Sequence, residues 1–353
     1  MPHLFDPITL RGTTFANRIW VSPMCQYSAR DGVVGDWHMA HLGSFATGGT
    51  GLIVAEATGV VPEGRISIGC PGLYNDEQIA AWKHINDFVH TQGVKIGIQL
   101  AHAGRKAGTT LPGSDHTMAT PEEGGWQAVA PSAIAFPGYP EPRELTRDEI
   151  KSLVHSFGNA AKNAVAAGFD LVEIHAAHGY LIHSFYSPLS NTRTDEYGGS
   201  YENRTRFLKE IVEEVRAAIP ESMPLFVRIS ASDWTDGGWT IEESIQLAPE
   251  LTAMGVDLID VSSGGNVSGA AITVGPGYQL HFADAIKNSG GATTSAVGMI
   301  TQAEQAEEII ASGKADAVMM AREFLRNPRW PLAAAATLGQ EVKWPKQIER
   351  GKR

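Results

Sequence analysis

The chain has 353 residues, 43% hydrophobic and 19% charged, the proportions of a globular protein long enough to bury a full core. Its formal charge of −11, with no basic stripe or polybasic run before the last few residues, argues against a nucleic acid or an anionic membrane as partner. Two cysteines, Cys25 and Cys70, are too few for a disulfide framework; no apolar run approaches the ~18 residues that span a bilayer, and residues 1–6 lack signal-peptide character, so a cytoplasmic protein is expected.

Short apolar, β-branched runs recur at residues 19–24, 52–57, 94–100, 171–175, 225–230, 258–262, 293–297 and 317–321. Each is followed by an amphipathic stretch of helical length. Near-continuous apolar runs are the pattern of parallel strands buried on both faces. Helix starts are predicted where Thr146 precedes Glu149, Thr240 precedes Glu243 and Thr301 precedes Glu304, since hydroxyl and carboxylate at this spacing satisfy each other's free amides. Strand–helix alternation without a break in composition predicts an α/β fold, a single (β/α)8 TIM barrel over residues 1–353 rather than two domains. The chain exceeds the ~250 residues of a plain barrel by about a hundred. Part of the excess is the Pro- and Gly-rich stretch 103–145 after the third strand. It is read as a capping lid rather than an interdomain linker, because the barrel pattern resumes after it and it carries the apolar anchors Trp126, Ile134 and Phe136.

Barrel enzymes build their sites at the C-terminal ends of the strands, and polar or small residues collect there. Cys25 ends the first run, Glu56 and Ala57 the second, Gln99 and His102 the third. The fourth run leads into His175-Ala176-Ala177-His178-Gly179-Tyr180, two imidazoles and a phenol able to bind an oxygen and supply a proton. Arg228 lies inside the fifth run, where a buried guanidinium needs an anionic or polarisable partner: a ligand, or an internal salt bridge with Glu56 or Glu173. Gly298 follows the seventh run and Ala321 and Arg322 the eighth, the positions from which barrel loops cradle a phosphate. Neither a G-x-G-x-x-G nor a G-x-x-x-x-G-K-[ST] motif occurs, so a nucleotide cofactor would be held by the barrel itself. The rival reading is a metal-dependent hydrolase with His102, His175, His178 and Glu56 as ligands. It lacks supporting carboxylates at the strand ends and sets Arg228 beside a cation, so no metal site is expected. His38 and His41 share a His-x-x-His spacing but fall on a helix between the first two strands, where packing or surface roles fit them better.

These residues resemble the Old Yellow Enzyme family of flavin-dependent ene-reductases, and within it the bacterial thermophilic-like and xenobiotic reductase branch. The resemblance runs through Ser22-Pro23-Met24-Cys25-Gln26-Tyr27, through Gln99-Leu100-Ala101-His102-Ala103-Gly104-Arg105-Lys106, and through the His175–Tyr180 segment. It continues over Arg193-Thr194-Asp195-Glu196-Tyr197-Gly198-Gly199-Ser200, Glu202-Asn203-Arg204 and Arg228-Ile229-Ser230. The Arg193–Arg204 cluster is read as scaffold. Cys25 and the paired histidines mark the branch.

The resemblance implies FMN across the C-terminal mouth, with NADPH or NADH as reductant. It implies contacts to the flavin from Ser22, Pro23, Met24, Cys25 and Ala57, with the Cys25 S–H tuning its potential. Gln99 would bond its pyrimidine edge, Arg228 would lie near N1, and Gly298, Ala321 and Arg322 would hold its phosphate. Relatives often carry Gly where Ala321 stands. The implied reaction is ping-pong reduction of the activated C=C bond of an α,β-unsaturated carbonyl, or of a nitro compound. His175 and His178 bind the substrate oxygen, flavin N5 delivers hydride, Tyr180 protonates the α-carbon, and Tyr27 closes the pocket. The tail, residues 340–353, resembles one in which an arginine, here Arg350, reaches a neighbouring subunit's site in a homodimer or dimer of dimers. An RNA-modifying flavoenzyme is disfavoured by the acidic balance, and an iron–sulfur dienoyl reductase by the two cysteines.

Overall fold

The computed structural model describes residues 2–352. A two-stranded hairpin, β1 (Ile8–Leu10) with β2 (Thr13–Phe15), precedes the first barrel strand. Then follow β3 (Ile19–Val21), α1 (Asp36–Ala46), β4 (Leu52–Gly59), α2 (Asp76–Thr91) and β5 (Lys95–Ala101). After a long excursion containing β6 (Val129–Ala130) and β7 (Arg143–Glu144), the alternation resumes with α3 (Arg147–Ala166) and β8 (Leu171–Ala176). Next come α4 (Leu181–Tyr186), α5 (Tyr201–Ala218), β9 (Leu225–Ser230), α6 (Ile241–Ala253), β10 (Leu258–Ser262) and α7 (Leu280–Gly290). The chain completes with β11 (Thr294–Ala296), α8 (Ala303–Ala311), β12 (Ala317–Met320), α9 (Arg322–Arg326) and α10 (Trp330–Thr337). Strands β3, β4, β5, β8, β9, β10, β11 and β12 pair in parallel and close on themselves: a (β/α)8 barrel, as the alternation predicts.

Side-chain parity along the strands sorts the barrel interior into layers. At the bottom, Trp20, Val54, Leu171, Phe226, Leu258 and Met319 form an apolar plug, and Phe15 of the hairpin packs beneath it, 5.1 Å from Trp20 and 6.3 Å from Phe226. One step up the strands lie Gln99, Glu173, Arg228, Asp260 and Ser295, all buried. One step further, at the mouth, come His175, Ser230 and Ser262. The outward set of the same strands packs on the helices in a second core that includes Ile53, Ile98, Ile174, Val227 and Val261.

Several boundaries fall short of the expected strands, among them both ends of β11, which spans only Thr294–Ala296; two have clear local reasons. β3 stops at Val21 because Pro23, which has no N–H to give the ladder, carries the chain out over the mouth. β12 stops at Met320, where Ala321 turns into α9. Of the three capping boxes, those at Thr146 and Thr240 form. The one at Thr301 does not: α8 begins a residue later, with Gln302 at its N-cap, so Glu304 sits one position too early and Gln305 Oε1 takes the Thr301 N–H at 3.1 Å.

In β4 the pairing with β5 jumps from Ala55–Ile98 to Ala57–Gln99, a bulge with Glu56 as the extra residue. Ala57 thereby takes the inward parity of Gln99, while Glu56 is buried against α1, its Oε1 3.3 Å from His38 Nε2 and its Oε2 accepting Gln26 N–H at 2.9 Å. His38 and His41 are indeed packing residues: His38 lies against Trp82, and His41 against Phe45, with burial pushing its pKa down to about 4.

The stretch 103–145 carries more local structure than its composition suggests. Single turns form at Gly104–Lys106 and Pro121–Glu123, the second capped by Thr120, and β6 pairs with β7. Trp126 packs beside Cys70 and Ala107 with the Arg65 guanidinium 5.0 Å over its ring, and Phe136 lies under Arg105 and Lys106. Arg193 fastens the end of this stretch, donating to the carbonyls of Pro131 and Leu145 while paired with Asp195 at 2.6 Å. Arg204 pairs with Glu243 at 2.7 Å. The cluster is scaffold.

Candidate active site

The fourth loop brings His175, His178 and Tyr180 together at the mouth. The His175 ring lies edge-on to His178 at 5.2 Å and to Tyr180 at 5.0 Å. His178 adopts a left-handed backbone, φ 62°, which a non-glycine residue holds only when its surroundings enforce it. Here its N–H donates to Ser230 Oγ at 2.9 Å and its Nε2 meets Ser262 Oγ at 2.7 Å. The next residue must be glycine. Gly179 has φ 72°, and a Cβ there would come 2.3 Å from the Gly265 carbonyl oxygen.

Electrostatics fix the protonation of the trio. Burial, reinforced by the Arg228 charge, lowers the pKa of both His175 and His178 well below the ordinary value, so both rings are neutral. His175 Nδ1 accepts the Ala177 N–H at 3.3 Å, which places its proton on Nε2. Burial pushes Tyr180 well above the usual phenol range, so it keeps its proton as a donor.

Arg228 does find an internal carboxylate, and it is neither Glu56 nor Glu173. Its partner is Asp260, 2.9 Å from Nε, because parallel register sets the two residues side by side on β9 and β10. Ser295 donates to the other oxygen of Asp260 at 2.8 Å. Glu173, its pKa raised to about 8 by burial and by the Asp260 charge, accepts from Gln99 Nε2 at 2.7 Å. Gln99 thus lies in the polar layer with one amide face committed to Glu173. Among the described residues, the group of three or more metal-type donors that converges is Cys25, Glu56 and Cys70, not His102, His175, His178 and Glu56. Burial holds His102 at about 4.

On the far side of the mouth, Arg228, Ser262, Gln279, Gly298, Ala321 and Arg322 line one cavity of about 270 Å³. Gly298 has φ 127°, and a Cβ would stand 3.2 Å from both Gln279 Nε2 and the Tyr278 ring, so the cradle needs a bare backbone there. Arg322 is exposed, with no ion pair among the described residues. Cys25, Ala57 and Tyr180 meet in a small apolar cluster with Cys70, Ala107 and Trp126. Ser22 and Met24 line a narrow cleft with His38 and Glu56 behind the first strand end, next to Pro23. Tyr27 stands at the rim, and Arg350 lies exposed in a single turn at Glu349–Gly351.

Four further residues complete this region. Ser262 ends β10, the sixth barrel strand; the inward parity of Leu258, Asp260 and Ser262 is its signal in the sequence. Asp260 is visible by the same parity. Lys106 sits in the Gln99–Lys106 motif, and its Nζ donates to the His178 carbonyl at 2.7 Å and the Gly265 carbonyl at 3.0 Å. It lies 4.9 Å over the Tyr180 ring, and burial brings its pKa down to about 8. Gln279 follows β10 in a loop and accepts from Ser263 Oγ at 2.5 Å; nothing in the local sequence marks it.

Residues 3–341 match the family model described as NADH:flavin oxidoreductase / NADH oxidase family. An NADPH dehydrogenase of Bacillus subtilis (strain 168) is 49% identical over 351 residues, covering 99% of this chain and 98% of that protein. The old yellow enzyme homologue from Zymomonas mobilis superposes with a TM-score of 0.78 at 31% identity, over 99% of this chain and 98% of that one. A 2-naphthoyl-CoA reductase gives a TM-score of 0.87 at 29% identity; this chain spans 52% of its length.

Proposed function

The chain belongs to the NADH:flavin oxidoreductase / NADH oxidase family, and from that premise we propose that it is an FMN-dependent, NADPH-oxidising ene-reductase. The observation that carries the reading is the meeting of two neutral imidazoles and a protonated phenol at the barrel mouth, 5.0 to 5.2 Å apart between rings. The residues present fit an FMN. The Gly298 cradle, which a Cβ would fill, and Arg322, without an ion pair among the described residues, suit its phosphate; Arg228 suits the flavin's electron-rich edge; and Cys25, Ala57 and Gln99 suit the ring. Bound flavin supplies the two-electron hydride chemistry.

The chain's own residues do the rest. His175 donates its Nε2–H to the oxygen of an α,β-unsaturated carbonyl or a nitro group. With Ser262 Oγ, 2.7 Å away, as donor to His178 Nε2, the proton of that ring sits on Nδ1 as the second donor. These two donors withdraw electron density from the β-carbon and stabilise the charge that grows on the oxygen. Tyr180 gives its proton to the α-carbon. Tyr27 closes the pocket at the rim. Arg228, its charge balanced by Asp260, favours negative charge on the reduced ring. NADPH and the enone use the same mouth in turn, which is ping-pong kinetics. The same reading assigns Arg350 to a neighbouring copy in a homodimer or dimer of dimers and puts the enzyme in the cytoplasm; no helix among the described residues is long and apolar enough to cross a membrane.

The test is a visible spectrum of the purified protein under anaerobic addition of NADPH and then 2-cyclohexenone. Yellow absorbance that bleaches with NADPH and returns with the enone is expected. A protein that binds no FMN, or one reduced by NADPH but not reoxidised by enone or nitro compound, overturns the reading.

A further inference from the structure

We propose that Cys25 and Cys70 form a second redox-active site beside the mouth, a dithiol that hydrogen peroxide closes to an intramolecular disulfide. These are the only cysteines of the chain. Forty-five positions apart in sequence, they stand on the loops that follow the adjacent strands β3 and β4, and their sulfurs lie within 4.8 Å of each other. The two backbones touch as well. Ala29 N–H donates to the Gly69 carbonyl at 2.9 Å, and a Cβ on Gly69 would meet the Tyr27 carbonyl oxygen at 2.7 Å. Closing the sulfurs to a bond of about 2 Å therefore brings together segments already in contact.

The surroundings favour this chemistry over a metal site. The third donor of the cluster, Glu56, is already committed, with Oε2 accepting the Gln26 N–H and Oε1 facing His38. The remaining neighbours are Ala57, Ile66, Ala101, Ala103, Ala107 and Trp126, with the Tyr180 and Ser67 hydroxyls as the other polar groups at hand. The thiols are not equivalent. Cys25 is half-buried and Cys70 fully buried, so the oxidant meets Cys25 first. Their hydrogen bond, with burial, pushes the Cys25 pKa well above its ordinary value, while the same bond and Ser67 Oγ, 3.2 Å from Cys70 Sγ, hold the Cys70 pKa below its own, which suits Cys70 as the resolving thiolate.

The steps balance. The Cys25 sulfur attacks one oxygen of the peroxide as its proton passes to the hydroxide that departs, giving a sulfenic acid and one water. The Cys70 thiolate attacks the Cys25 sulfur and expels hydroxide, which takes the proton released from Cys70 and leaves as a second water. Two thiols and one peroxide become one disulfide and two waters.

The experiment treats the purified holoenzyme with hydrogen peroxide, alkylates free thiols under denaturing conditions and reads the intact mass. The wild type is expected unalkylated and about 2 Da lighter, the mass of the two hydrogens lost. It should run as a monomer on a non-reducing gel and recover both alkylation sites after dithiothreitol. Cys70→Ser, with Cys70→Ala as the alternative should the serine fold poorly, is expected to lose the linkage while keeping flavin and NADPH oxidation. Two alkylated cysteines after peroxide, added oxygen on Cys25 with Cys70 still alkylated, or a covalent dimer would each overturn the proposal. The readout is a mass, so it stands or falls separately from the flavin reading.

Discussion

Tyr180 is the residue on which the proposed chemistry turns, and its environment states why. Burial first, then the nearby Cys25 and Tyr27, push its pKa well above the usual phenol value, while the Lys106 cation lies 4.9 Å over its ring. A phenol so placed holds its proton until a carbanion-like carbon takes it. Tyr180→Phe is therefore expected to slow enone-dependent reoxidation by about 10²–10⁴-fold, the span of a lost general acid, with reduction by NADPH changed only a few-fold. Stopped-flow measurement of the two half-reactions separates them; near-normal reoxidation in the variant would remove Tyr180 from the chemistry. The trio was legible as residues, since three polar groups at a strand end stand out from an apolar run. The Ser262 partner of His178 was not, because an 84-residue separation hides a 2.7 Å contact.

The elements position this site through their ends. Thr240 accepts the Glu243 N–H at 3.3 Å and Glu243 accepts the Thr240 N–H at 3.1 Å, so α6 starts where the sequence box says it must. Glu243 also holds Arg204 at 2.7 Å, tying α6 to α5. Thr240→Ala should lower stability by about 1 kcal/mol. The measurement is urea unfolding, with a lower midpoint and unchanged slope; an unchanged midpoint would show the box to be ornamental. Thr301 teaches the converse. Hydroxyl and carboxylate spacing there matched the box, but the preceding turn delivered the chain to α8 one residue late, and a cap depends on register to the residue. The Glu56 bulge is of the same kind. Plain alternation sends Glu56 inward with Leu52 and Val54, yet one extra residue in β4 turns Ala57 to the mouth and Glu56 to His38.

At the scale of the molecule, burial of titratable groups links folding to pH. His102 and His41 lie near 4, and His175 and His178 are well below their ordinary value, with burial the leading cause in each. A depressed histidine binds fewer protons folded than unfolded, so stability is intact above about 6.5 and falls as pH drops towards 4. His102 alone would withdraw about 3 kcal/mol by pH 4. Thermal unfolding between pH 7 and pH 4.5 should show a steadily falling Tm, shallower in His102→Gln; a flat profile would contradict the burial of these rings. Within this frame the sequence alone determined the succession of strands and helices, the barrel they close into, and which strand ends carry polar groups. Those follow from periodicity and from the rule that buried parallel strands read as apolar runs, both local properties. Tertiary structure alone decided which buried groups meet: Asp260 with Arg228, Glu173 with Gln99, Cys70 with Cys25 and Ser262 with His178. Each pair joins residues from different strands or loops, and their meeting depends on barrel register and one bulge, which no single stretch of the chain encodes.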